Sequence, residues 1–360
     1  MKEQSKNGGS VATTRVVREI AFVPALVHCS SVVLREAGER AAELVCVWYE
    51  GRYEAASDTV IRIARRAVAP AGEASNGWDE SRVAIDLPGS PVGNPVVFGE
   101  GAGRIRMLFS LLMSESWTNG IICTVFSDDG GRSWSPPSLF VPRPGYVPKT
   151  RPVQNRHGTW VVPLYHEEMY APFVAPADSF DDPSSVSLVA EVMARGKVIQ
   201  PAVVLLEDGT LLMFARSNQG AVWAGRSVNQ GYSWSLLRPT VIPNPDSAVE
   251  LIRLSNGELL LVWNSSSLSR GVLSVALSRD EGESWYCSRE IARGGGEYSY
   301  PSACELADGG VSVTYTHDRY QILETELNLS WIRENPLEKP IQTTHSLSTA
   351  VRGVPAGEEQ

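Results

Sequence analysis

One pattern recurs along this chain and limits what it can fold into: two short apolar runs joined by a tight polar turn, followed by a third run. Its clearest copy spans residues 199–234. An apolar run over 199–206 turns at Glu207-Asp208-Gly209 and continues through 210–216. After a polar break comes 221–227, and the unit closes on Asn229, Gly231 and Trp234. Asp-Gly between two apolar runs signals a hairpin, because glycine takes the positive φ that such a turn requires. A unit of this size cannot bury its apolar face alone, so repetition decides the fold before any single residue does.

Six such units can be marked. The first has runs at 28–34, 43–49 and 59–64, with Trp78 after them; the second has 94–98, 105–112 and 120–126, closing on Trp134. The third opens at Arg151-Pro152-Val153, turns at His157-Gly158, continues over 160–165 and predicts a third strand at 186–193, with no closing tryptophan. The fourth is the copy described above. The fifth has 248–254, 258–263 and 272–277, closing on Trp285, and the sixth has 298–306, 311–316 and 321–329. Tryptophans at 78, 134, 234 and 285 leave room for one more near 184, a period of about fifty residues and within the range of propeller blades. The expected fold is all-β, a six-bladed β-propeller. Its expected layout is a polar lead-in over 1–19, the propeller over 20–332 and a polar, proline-containing tail over 333–360. Inner-strand starts and second-to-third connections meet at one end of a propeller, so one pocket there is the expected ligand site.

Composition narrows the partners. With 32 lysines and arginines against 41 acids, the net charge is -9, which argues against nucleic acid as a main partner but leaves room for a local basic pocket. No apolar run has the length of a membrane span, and the first ten residues lack the apolar core of a secretory signal, so a cytoplasmic protein with no membrane partner is expected. Cys29, Cys46, Cys123, Cys287 and Cys304 have no metal-ligand spacing and read as buried free thiols of a reducing compartment. No phosphate loop, nucleophile elbow or zinc signature is present, and no cofactor or metal is expected.

Three units share one turn. Ser127, Asp129, Gly131 and Trp134 fill it first, then Ser227, Asn229, Gly231 and Trp234, then Ser278, Asp280, Gly282 and Trp285. Serine and the acid or amide bond turn backbone groups, glycine supplies positive φ and tryptophan packs on the blade, so the role is structural. These turns resemble the Asp boxes of the sialidase (neuraminidase) superfamily, over roughly residues 20–332. The chain is most similar to the predicted-neuraminidase branch, through His28-Cys29-Ser30, Ile199-Gln200-Pro201, Asn244-Pro245-Asp246-Ser247 and Ser299-Tyr300-Pro301.

The resemblance implies a glycosidase acting on a small-molecule or glycan substrate that carries a carboxylate. In the family three arginines hold that carboxylate, a tyrosine attacks, a glutamate activates the tyrosine and an aspartate serves as acid/base. Tyrosine suits the task because a carboxylate nucleophile is repelled by the substrate's own charge. Tyr300 matches the nucleophile, standing eight residues before Asp308-Gly309. Arg216 and Arg270 match two of the arginines, whose planar forks grip a carboxylate with paired bonds. Asp58 fits the acid/base position, with Glu54 as its rival. Arg151, Asp246 and Glu250 are further pocket candidates, whereas His166, Glu167 and Glu168 read as a polar loop and Tyr315, His317 and Arg319 as rim residues.

Two positions depart from the pattern. Counting back ten from Gly38 places His28 where the third arginine belongs, and counting back eight from Asp208 places Gln200 where the glutamate belongs. A glutamine orients a phenol but takes no proton from it at neutral pH. His28 could serve as base or anion ligand, and a His-Tyr pair among arginines also suits a lyase or isomerase that abstracts a proton beside a carboxylate. A non-catalytic glycan-binding propeller is the remaining alternative.

Overall fold

The computed structural model describes residues 12–20, 25–36, 42–68, 77–186 and 190–344. These form six antiparallel sheets. The first blade runs Leu26–Glu36, Ala42–Gly51, Val60–Val68 and Arg82–Ile85; the second runs Val92–Gly101, Arg104–Leu112, Gly120–Ser127 and Ser138–Val141. In the third, Tyr146–Pro148 and Val153–Gln154 share one partner, Trp160–His166, which is followed by Ala171–Ala177 and Ala190–Glu191. The fourth runs Val198–Leu205, Leu211–Ser217, Ala221–Ser227 and Arg238–Pro243.

The last two blades recruit the chain ends. The fifth comprises Glu250–Arg253, Leu259–Asn264, Val272–Ser278 and Ser284–Arg293, with Pro336–Gln342 added outside. The sixth comprises Tyr298–Glu305, Val311–His317 and Gln321–Leu327, with Ala12–Glu19 paired to its third strand. Residues 12–19 are therefore a blade strand rather than a lead-in, and 336–342 a sheet edge rather than a loose tail. Their charges hid them: an outer strand faces water, so Arg15 and Arg18 sit where an inner strand would be apolar. Residues 1–11, the Gly38 turn and the tail beyond 344 lie outside the described residues.

What closes the ring is apolar packing between blades. A separate buried cluster joins each consecutive pair: Val47 and Phe109 join blades one and two; Phe98 and Leu164, two and three; Val174 and Trp223, three and four; Phe214 and Trp263, four and five; Leu277 and Tyr315, five and six. Trp48 with Ile322 joins the sixth back to the first. A strand covered on both faces needs no alternation, which is why Leu259–Asn264 is buried at every position. Each fully buried leucine or phenylalanine contributes about 1.5–3 kcal/mol.

The three shared turns hold the blades as expected. Ser127 Oγ accepts from Gly131 N at 2.7 Å, and Asp129 accepts from Ser133 N at 2.8 Å. The 227 and 278 turns repeat the bond from glycine N to serine Oγ at 3.0 and 2.9 Å, with the glycines at φ 94° and 82°. The third blade lacks this turn. Phe180 fills the space, its ring 5.3 Å from that of Trp160 and 5.0 Å from that of Phe140. The third strand expected at 186–193 is corrected to Ala171–Ala177; Val186 makes only a single bridge to Ala177, and 187–189 lie outside the described residues. Pro172 and Pro176 disguised it. Standing four apart, they face the same way, so both missing donors fall on one side of the strand.

Candidate functional site

Four inner strands carry the same irregularity at their starts. Register shifts at 28/31, 93/96, 199/201 and 299/302 leave Cys29, Asn94, Gln200 and Tyr300 with φ of 55°, 44°, 54° and 54°. A non-glycine residue at positive φ costs of order 1 kcal/mol or more. The bulge re-aims a side chain that the strand would otherwise send into the sheet. It brings Gln200 of blade four and Tyr300 of blade six together across the axis.

Around them the bonds close into a network. Arg216 donates to Gln200 Oε1 at 3.0 Å, to Asp246 at 2.9 Å, and to Tyr300 Oη and Tyr170 Oη at 3.4 Å each. With its oxygen turned to Arg216, the Gln200 amide presents its nitrogen to Tyr300 Oη at 3.4 Å. Every neighbour bonded to the phenol oxygen is thus a donor. Arg270 bonds Glu297 at 3.0 Å and the Asp246 carbonyl at 2.6 Å, and Arg319 bonds Glu54 at 2.6 Å.

His28 lies against this group. Its ring meets Tyr300 edge-on at 4.2 Å and Tyr49 at 5.8 Å, Nδ1 is 3.2 Å from Thr316 Oγ1, and Nε2 is buried with no partner. Burial first, then the charges of Arg319, Arg270, Lys149 and Arg216, hold its pKa well below the usual imidazole range. The ring is neutral at pH 7. Lys149 is itself buried; its Nζ donates to the Pro301 carbonyl at 3.3 Å and sits 5.5 Å from the centre of the Tyr300 ring. Trp117 walls the site beside Tyr49 at 6.0 Å. Only glycine fits at 93, because a Cβ there would come 2.5 Å from the indole.

The structure therefore brings together Tyr300, Gln200, His28, Arg216, Arg270, Asp246 and Glu54. It does not bring Asp58 with them: Asp58 is exposed and bonds Arg52 at 2.7 Å, so Glu54 is the carboxylate that the first-blade loop delivers. Arg151 points elsewhere as well. It bonds Glu250 at 3.2 Å and the Val32 and Ala303 carbonyls within the channel, and it lines a cavity of about 690 Å³ with Val33, Val203 and Leu251. That cavity lies at the far ends of the inner strands, away from Tyr300. Glu250 is buried with Arg151 there, and burial raises its pKa.

Sequence reasoning put Arg319 only on the rim and passed over Lys149, Tyr170, Trp117 and Glu297. Lys149 had a legible signal, since it stands two residues before Arg151 at an inner-strand start. Tyr170 had none, because the strand it precedes was misplaced. Among the described residues no group of three or more His, Cys, Asp or Glu side chains could hold a metal ion, and all five cysteines are buried free thiols.

Known proteins offer a frame for this geometry. Residues 42–313 match the BNR repeat-like domain family. Among solved structures, a Hadza microbial sialidase, Hz136, superimposes with TM-score 0.68 at 19% identity, covering 85% of this chain and 66% of its own. The leech intramolecular trans-sialidase, solved with 2,7-anhydro-Neu5Ac, gives 0.68 at 14% identity and covers 88% and 70%. The NanB sialidase of Streptococcus pneumoniae gives 0.69 at 12% identity and covers 88% and 71%. The chain thus spans about two thirds of the length of these proteins. No curated protein sequence matches. At such identities the likeness speaks for the propeller fold, not for the reaction.

Proposed function

The chain belongs to the BNR repeat-like family, and from that premise we propose that it is a glycosidase acting at the anomeric carbon of a carboxylate-bearing sugar. One observation carries the reading. In a chain of net charge -9, Arg216, Arg270, Arg319 and Lys149 all surround the His28–Tyr300 pair. Asp246, Glu297 and Glu54 offset three of these four charges, so the cations favour an anion through the N–H donors they leave free rather than through a large net charge. The three guanidiniums are held by Asp246, Glu297 and Glu54, which aim them while leaving further N–H groups for a substrate carboxylate.

In this reading Tyr300 Oη attacks the anomeric carbon while the glycosidic C–O bond breaks. The leaving oxygen takes a proton from Glu54, which picks that proton up from solvent once the substrate carboxylate takes over Arg319. The phenol proton goes to His28, because Gln200 cannot accept it. His28 is neutral and so available as a base; an incoming carboxylate offsets the cations that disfavour its charged form. Water then releases the sugar from the tyrosine, with Glu54 taking the water's proton and His28 returning its own to the departing phenolate. The test is release of reporter from acidic aryl glycosides. Turnover abolished in Tyr300→Phe and Arg270→Ala is expected; unchanged turnover in both would remove the assignment.

A second reading has one observation in its favour, the unpartnered Nε2 of His28. Here His28 abstracts a proton beside the substrate carboxylate and the leaving group departs by β-elimination. Its product carries a new carbon–carbon double bond that absorbs in the near ultraviolet. Reporter release without that absorbance excludes it.

A further inference from the structure

Exposed apolar side chains that the proposed chemistry does not use ring the mouth of the site, one of them, Tyr53, also bonding Glu115 through its hydroxyl at 2.7 Å. Five second-to-third strand connections each carry one: Tyr53, Met113, Met169, Leu268 and Tyr320. Leu268 is 91% exposed and Met113 70%. Each stands next to, or within a few residues of, a side chain of the site. Tyr53 precedes Glu54 and Tyr320 follows Arg319, the two members of one ion pair. Met169 precedes Tyr170, which bonds Arg216 and Asp246. Leu268 is two residues before Arg270, and Met113 four before Trp117. Among the described residues the other exposed large apolar side chains are distributed differently. Val16, Val83, Leu139, Met193 and Val241 lie on or beside outer strands, and Val228 and Tyr232 share one turn at the opposite end.

Isolated exposed apolar residues are ordinary, but one from each of five blades at a single mouth is an arrangement. We infer that this collar receives the aglycone of the substrate, and that the aglycone is apolar: an alkyl or aryl group linked to the acidic sugar. The inference rests on the reading of the pocket as an acidic-sugar site. The collar's members sit on the loops that also carry site residues, so a group leaving the anomeric carbon passes among those loops. Methionine and leucine adapt to chains of varied shape, and the two tyrosines give flat faces. A free amphiphile fits better than a bilayer, because these apolar residues stand singly among charged neighbours such as Arg52, Glu54, Glu115 and Arg319 rather than as one contiguous apolar face.

The experiment uses the full chain with methyl, butyl and octyl glycosides of N-acetylneuraminic acid and of glucuronic acid, below their micelle concentrations. Dissociation constants come from calorimetry and kcat/KM from product release. Partial burial of each added methylene predicts about two- to threefold tighter binding per group over the first few. The octyl-to-methyl ratio falls at least fivefold in the Met169→Ser/Leu268→Ser double variant and is unchanged in Val228→Ser, on the opposite end. Equal affinity across aglycones overturns the collar and leaves the acidic-sugar reading standing. Binding of no member overturns both. Retention on phosphatidylcholine vesicles without any glycoside replaces the free aglycone with a membrane surface and also overturns the inference.

Discussion

Replacing Gln200 by glutamate is the sharpest perturbation of the proposed chemistry. The wild-type amide accepts from Arg216 at 3.0 Å and donates to Tyr300 Oη at 3.4 Å, so a carboxylate in its place keeps the arginine bond and turns its second oxygen to the phenol as acceptor. Two charges 3.0 Å apart attract by about 5 kcal/mol at an effective dielectric constant of about 20. Burying a carboxylate costs several kcal/mol, so the two effects nearly cancel and the variant folds with stability within about 1 kcal/mol of wild type. A positioned general base contributes roughly 10²- to 10⁴-fold. Two facts reduce this. The 3.4 Å gap must close by about 0.6 Å to reach an ordinary O–H···O bond, and Arg216 makes the new carboxylate a weaker base. The expected outcome is a rise in kcat/KM of about tenfold to a hundredfold on acidic aryl glycosides. The assay is initial-rate reporter release, with Tyr300→Phe added to the variant as control. A rate unchanged or lowered in a variant whose urea midpoint matches wild type would refute removal of the Tyr300 proton as the step that limits turnover.

Other outcomes follow from the same geometry. Arg319→Ala raises KM for an acidic substrate by about tenfold or more, as loss of a charge-assisted bond of 1.5–3 kcal/mol requires, and Arg319→Lys recovers part of it; steady-state kinetics read both. His28 is held neutral in the fold, whereas the unfolded chain protonates it near pH 6.5, so below that pH the unfolded state binds the extra proton and stability falls. With the folded pKa held well below 6.5, stability falls between pH 7.5 and 5.5, seen as a steeper fall in urea-derived stability for wild type than for His28→Gln. Asp129→Ala removes bonds from Ser127 Oγ, Ser133 N and Ser133 Oγ at 2.7, 2.8 and 2.6 Å and lowers stability by about 1–2 kcal/mol. Ligand affinity by calorimetry stays as in wild type, because that turn is far from the pocket. Gly93→Ala forces Trp117 to move and changes the intrinsic fluorescence of the folded protein.

The sequence by itself determined the architecture. Six copies of one apolar rhythm, three of them turning at Asp-Gly or Asn-Gly, specify six alike sheets, and sheets covered on both faces close only on one another. It also placed His28, Gln200 and Tyr300 at inner-strand starts, Arg216 at the end of a second strand and Arg270 just ahead of a third, positions that a blade carries to one end. It failed where local signals mislead: prolines hid Ala171–Ala177, and charged outer strands hid Ala12–Glu19 and Pro336–Gln342. Only the tertiary structure decided which acid faces the axis, because Glu54 and Asp58 share one loop and differ in the cation each meets, Arg319 or Arg52. It alone turned Arg151 into the channel and seated Lys149 under Tyr300. Contacts such as these join residues more than a hundred positions apart, and spacing along a chain carries no record of which blade lies opposite which.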